Sequence, residues 1–146
     1  MRILYTILGE YLNSREMKMK IYFYIFLFIF AFMAFSQEGV EKEKIENEII
    51  SIKKNIEMKV DLAQNYLKLG YLYSKLGDAD KAQDAFENVI KLEPYNSKAY
   101  FMLGLIYEKK NMTAKAIDVW QKCYNYTQNT EIKQIAQKHI DYLRKQ

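Results

Sequence analysis

The chain has 146 residues, half of them hydrophobic and 15% aromatic, with one proline and one cysteine. That size fits a single packed, helix-rich domain, and one thiol excludes an intramolecular disulfide. The formal charge of +4 is dispersed, with half of the excess before residue 37 and the rest interspersed, so the basic stripe of a nucleic-acid surface is missing.

Residues 17–36 read Met-Lys-Met-Lys, then an almost wholly apolar run from Ile21 to Phe35, then Ser36. A short positive region, such a run, and small residues at Ala34 and Ser36 form the pattern of a secretory signal peptide cleaved after Ser36. The run of 15 residues is short of the ~20 that cross a bilayer comfortably. It carries no charge, however, and could instead serve as an uncleaved anchor. A buried core helix is the third alternative, disfavoured because Ile21–Ala31 has no polar face beyond the hydroxyls of Tyr22 and Tyr24. Residues 1–16 precede the natural start of such a signal, Met17 or Met19, and read as an upstream extension. The expected location is therefore periplasmic or secreted. The alternative is anchoring by residues 21–35, the one stretch expected to touch a membrane.

Residues 37–44 are polar and charged and read as a linker. Ile45, Ile49, Ile52, Ile56 and Val60 then recur at helical spacing, which predicts a covering helix over 45–60 with one apolar stripe. Asp61 with Gln64 has the spacing of a capping box. Leu62, Tyr66, Leu69, Tyr73 and Leu76 continue the helical period to a break at Gly77-Asp78. A second helix carries Ala82, Phe86, Val89 and Ile90 and stops before Pro94. Asn96 or Ser97 caps a third, with Tyr100, Leu103, Ile106 and Tyr107. Asn111 marks its end, and a fourth carries Ala116, Val119, Trp120 and Cys123. After a polar break at 127–130, Ile132, Ile135, Ala136, Ile140 and Leu143 predict a closing helix over 131–146.

A shift of 34 residues superposes two stretches of this region. Tyr66 falls on Tyr100, Leu69 on Leu103, Gly70 on Gly104, Tyr73 on Tyr107, Lys81 on Lys115, Ala82 on Ala116, and Phe86 on Trp120. Such a period signals stacked helical hairpins that bury a continuous core only together.

The pattern Tyr66-x-x-Leu69-Gly70-x-x-Tyr73, with Gly77, Ala82, Phe86, Val89 and Pro94, resembles a tetratricopeptide repeat, and residues 100–123 resemble a second copy. The second copy departs at Asn111, for glycine, and at Gln128, for the terminal proline. The resemblance implies an all-α fold, a short right-handed solenoid of antiparallel helix pairs. Its units are 61–96 and 97–130, flanked by the covering and closing helices.

It further implies a non-catalytic module that binds a protein or peptide through the concave face of each hairpin's first helix. On that face stand Leu67, Tyr71 and Ser74 in the first copy and Phe101, Leu105 and Glu108 in the second, the candidate partner-binding residues. Apolar Leu67, Tyr71, Phe101 and Leu105 replace the lysine and asparagine clamp that some members use for acidic tails, which argues for an apolar strip. Either a partner fills that strip, or the helix over 45–60 or a second copy in a homodimer covers it. Trp120 reads as core, Cys123 as a buried inert thiol, and His139, with no ligand-spaced companion, as no metal site. No phosphate loop or nucleophile motif is present, so neither a cofactor nor an enzyme activity is expected.

Overall fold

The computed structural model of the chain describes residues 15–145, and it divides into two compact units, Met1–Lys44 and Ile45–Gln146. Among the described residues there are six helices and no strand: α1 (Arg15–Glu57), α2 (Leu62–Lys75), α3 (Ala79–Leu92), α4 (Ser97–Lys109), α5 (Thr113–Tyr126) and α6 (Thr130–Leu143). The class is all-α, and each helix from α2 to α6 packs on the next as in a helical solenoid.

In the first unit, the described residues belong to α1. Residues 37–44 were expected to be a linker, but they lie inside this helix. The reason is compositional: Glu and Lys are good helix formers, there is no proline, and Gly39 is the single poor helix former there. Ile21 to Phe30 and Phe32 are all exposed, which is not the pattern of a core helix. Among the described residues no helix is long and apolar enough to cross a membrane. Residues 1–14, most of the expected upstream extension, lie outside the described residues, as do the side chains at the expected cleavage positions Ala34 and Ser36.

In the second unit, Ile49 and Ile52 of α1 are buried, and Ile45 and Ile56 pack against the same core. This stretch lies one period before α3. Ile52 and Ile56 occupy the positions of Phe86 and Ile90, so the end of α1 stands in for the second helix of a preceding unit. A contact supports the equivalence. Lys53 Nζ lies 6.0 Å from the Tyr73 ring, and one period later Glu87 accepts a hydrogen bond from the Tyr107 hydroxyl at 2.8 Å. The helix ends at Glu57 rather than at residue 60, and Val60 is exposed.

Three helix ends close in the same way. The Val60 N–H reaches the Asn55 carbonyl and that of Lys59 reaches Ile56, with Lys59 at φ 58°. Asp78 and Gly77 repeat the pair on Tyr73 and Ser74, and Met112 and Asn111 repeat it on Tyr107 and Glu108. In each case the residue in the left-handed region frees its helix to satisfy two terminal carbonyls. Gly77 and Asn111 are suited to that conformation, whereas Lys59 carries a Cβ and has no compensating side chain.

The helix starts are less uniform. Asp78 accepts from Lys81 N, Asn96 from Ala99 N, and Asn129 from Glu131 N and Ile132 N. The expected capping box at Asp61 is not formed, because Asp61 itself adopts a left-handed conformation and its side chain makes no cap bond. Asn65 ties that turn instead, its buried amide donating to the Val60 carbonyl at 2.7 Å. At the end of α5, Gln128 stands where the first copy has its helix-stopping proline, and Thr127 is the capping residue before it. The Thr127 backbone is extended, and its buried hydroxyl accepts from Asn129 N.

The aromatic positions of the repeat explain the glycines. A Cβ added at Gly70 would come within 2.7 Å of the Phe86 ring, and one at Gly104 within 2.5 Å of the Trp120 ring. Both rings are fully buried. Only a bare backbone lets the second helix of each hairpin set its aromatic ring flat against the first, and removing such a ring costs about 3–5 kcal/mol.

Candidate functional site

The six residues expected on the outward face of α2 and α4 do not share one environment. Leu67 is buried, a correction to its expected exposure. It belongs to the same buried core as Ile49 and Ile52 of α1 and is not part of an open strip. Tyr71 is half-buried and sets its ring edge-on to Phe86, with centroids 5.4 Å apart. Burial raises the pKa of its hydroxyl above the usual tyrosine value. Phe101 repeats the arrangement on Trp120 at 5.1 Å. Ser74 donates its hydroxyl to the Gly70 carbonyl at 2.9 Å, one turn back along α2. Leu105 is the one large apolar member that is exposed, at 39%.

Glu108 is engaged inside the molecule. Its carboxylate accepts the Trp120 indole N–H, and the same oxygen lies 2.7 Å from His139 Nδ1. The His139 ring stacks on Trp120 with centroids 4.4 Å apart and planes 15° from parallel. Glu108 thus joins α4, α5 and α6 and is not a free contact residue. The sequence hints at this only weakly. A tryptophan at a core position needs an acceptor for its N–H, but nothing in the spacing of 108, 120 and 139 says that these residues meet.

Two of the six, Ser74 and Leu105, come together at a groove of about 140 Å³, completed by Gly77, Ala79, Met102, Ile106 and Lys109. Its walls are the end of α2, the turn into α3, and the middle of α4. It is mainly apolar, with a hydroxyl and an ammonium at its rim. An apolar lining of this kind matches the general character of a side-chain-sized binding groove.

The remaining chemistry is quiet. Cys123 is fully buried and burial pushes its thiol up to about 11, the condition of an unreactive cysteine. Among the described residues no group of three or more His, Cys, Asp or Glu side chains is placed to hold a metal ion.

Two comparisons bear on this arrangement. Residues 63–96 match a family model described as tetratricopeptide repeat, in register with the α2–α3 hairpin. Residues 85–118 match a second model of the same description. Together the two matches span residues 63–118, and this stretch is similar to tetratricopeptide repeats. The second repeat match straddles the hairpins, from within α3 to within α5, and neither match reaches Trp120 or Thr127. Tetratricopeptide repeats suggest a protein–protein interaction module, since stacked helix pairs create extended concave surfaces that such proteins use for binding. A search of curated proteins finds no match to the chain.

Proposed function

We propose that this chain is a non-catalytic protein–protein interaction module that holds an apolar side chain of its partner in the groove between α2 and α4. The observation that carries this reading is Leu105. It stands exposed at 39% beside an open, mainly apolar groove, while the equivalent apolar positions around it are packed. Ser74 and Lys109 supply the polar groups of its lining, while Tyr71 and Phe101 are braced on Phe86 and Trp120. Leu67 and Glu108 support it from inside: one is core, and the other positions α4 against Trp120 and His139.

The location that goes with this reading is outside the cytoplasm, after export directed by residues 17–36. It is supported by the lysines at 18 and 20, followed by an apolar run.

The test is photo-crosslinking from position 105 in the full chain, followed by identification of the captured segment. Leu105→Glu should abolish capture with helicity unchanged, whereas Leu67→Glu should unfold the protein. Undiminished capture by Leu105→Glu overturns the assignment, and a crosslink to a second copy replaces the foreign partner with self-association.

A second reading makes the chain a membrane-anchored assembly subunit. It is favoured by the continuous course of α1 from Arg15 to Glu57 and by the exposed aromatic and aliphatic side chains of residues 21–32. Fractionation separates the two readings, because an anchored chain stays with membranes through an alkaline wash and a cleaved one begins at Gln37.

A further inference from the structure

The 34-residue period duplicates a groove as well as a hairpin. The first groove, about 190 Å³, has Tyr66, Leu69 and Tyr73 of α2 beside Lys81, Asp84 and Asn88 of α3. The second, about 390 Å³, has Tyr100, Leu103 and Tyr107 of α4 beside Lys115, Asp118 and Lys122 of α5, with Glu87 and Lys91 of α3 as a further wall. Each named residue of the first is matched one period later in the second. The lysines keep their geometry: Lys81 Nζ lies 5.4 Å from the Tyr73 ring and Lys115 Nζ 5.7 Å from the Tyr107 ring.

Their charge balance differs. In the first groove, Asp78 neutralises Lys81 at 2.6 Å while also capping α3. One period later that position is Met112, which makes no cap bond, and among the described residues no carboxylate pairs with Lys115. Asn88 becomes Lys122, which is held by Asp118 at 2.8 Å and lies 5.8 Å from the Tyr100 ring. On the other wall, Lys91 stands where the preceding unit has Glu57, and its ammonium donates only to the amide oxygen of Asn88. The acids of the second groove are occupied, Glu87 by the Tyr107 hydroxyl and the Gln83 amide, and Asp118 by Lys122. Three lysines thus face two carboxylates in the second groove, an excess of one positive charge, and among the described residues Lys91 and Lys115 are the two ammonium groups that neither acid holds.

We propose that this second groove binds an acidic segment of a partner protein, its Glu or Asp carboxylates seated between Lys91 and Lys115. Charge complementarity selects the occupant. The first groove is the internal control, since it has the same shape motif with its lysine already paired. This surface is separate from the apolar groove beside Leu105, and the two answer to different substitutions.

The experiment measures fluorescence anisotropy of a labelled, C-terminally amidated hexaglutamate peptide with the full chain in neutral detergent. Saturable binding should weaken at least ~tenfold between about 50 mM and about 500 mM salt, as expected for contacts between exposed charges. Lys91→Gln and Lys115→Gln should each weaken it roughly fivefold or more, and Lys81→Gln should leave it unchanged. Met112→Asp, which returns a carboxylate beside Lys115, should weaken it equally while the circular dichroism spectrum stays that of the parent. Absence of saturable binding overturns the proposal. So do retention of binding in both lysine variants, an equal loss in Lys81→Gln, and tighter binding of a single-stranded oligonucleotide of matched charge.

Discussion

Trp120 donates its indole N–H to Glu108, and His139 meets the same carboxylate oxygen at 2.7 Å while lying flat on the indole. A fully buried donor, a half-buried acid and a half-exposed imidazole thereby close the end of the array. Glu108→Ala should leave the indole N–H without an acceptor in the core, a loss of about 1–3 kcal/mol. Glu108→Gln keeps an acceptor and should cost less. Urea denaturation of the two variants checks the ordering.

Lys59 ends α1 at φ 58°, a conformation that costs a side-chain-bearing residue about 1–2 kcal/mol. Lys59→Gly should relieve that strain, offset in part by the greater freedom of glycine in the unfolded chain, for a net gain of about 0.5–1 kcal/mol. Asn111→Gly should gain less, because asparagine already tolerates that region. Thermal melts of the two variants, compared side by side, test the difference.

Gly104→Ala would drive a Cβ to within 2.5 Å of the buried Trp120 ring. Overpacking of about 1–3 kcal/mol should outweigh the ~1 kcal/mol that alanine brings to a helix, so the variant should be less stable. Gly39→Ala meets nothing within 4 Å and should raise helicity instead. Chemical denaturation and circular dichroism measure the two outcomes, and stabilisation by Gly104→Ala would contradict the close approach.

Alkali should unfold the array progressively. Burial raises the ionisation of Cys123 to about 11 and lifts the Tyr71, Tyr100 and Tyr107 hydroxyls above their ordinary values, with the Glu87 hydrogen bond adding to the effect at Tyr107. The folded chain keeps these groups neutral at pH values where the unfolded chain already ionises them. Their contribution is therefore full below the unfolded values and is lost as pH rises through the folded ones. Stability should fall from about pH 9 upward. Cys123→Ala should flatten the part of that fall between pH 9.0 and about 11 in a series of urea melts.

Much of this array was legible before its tertiary structure. The helical periods of Tyr66, Leu69 and Tyr73 and of their equivalents predict α2 to α5, since each stripe must face a partner helix. The pairing of Gly70 with Phe86 and of Gly104 with Trp120 agrees with the close approach expected from the repeat. The polar switches were harder to read. Asp61 and Gln64 have the spacing of a capping box, but the tight turn after α1 places Asp61 in a left-handed conformation from which its side chain cannot cap. The site was the least legible part. Leu67, Tyr71, Phe101 and Leu105 look alike as apolar letters, yet one is buried, two are braced on aromatic rings and one is open.

The sequence by itself determined the class, the hairpin count and the glycine–aromatic seams, because these follow from local periodicity and a duplicated spacing that the backbone must obey. Only the tertiary structure decided which outward residues stay available. Availability depends on what distant segments cover: Ile49 and Ile52 join the core that contains Leu67, and α6 brings His139 to Glu108 and Trp120. It also decided that Asp78 quiets Lys81 while Met112 offers no carboxylate to Lys115. A one-letter difference between the copies becomes a difference in charge only when the helices place those side chains around a common groove.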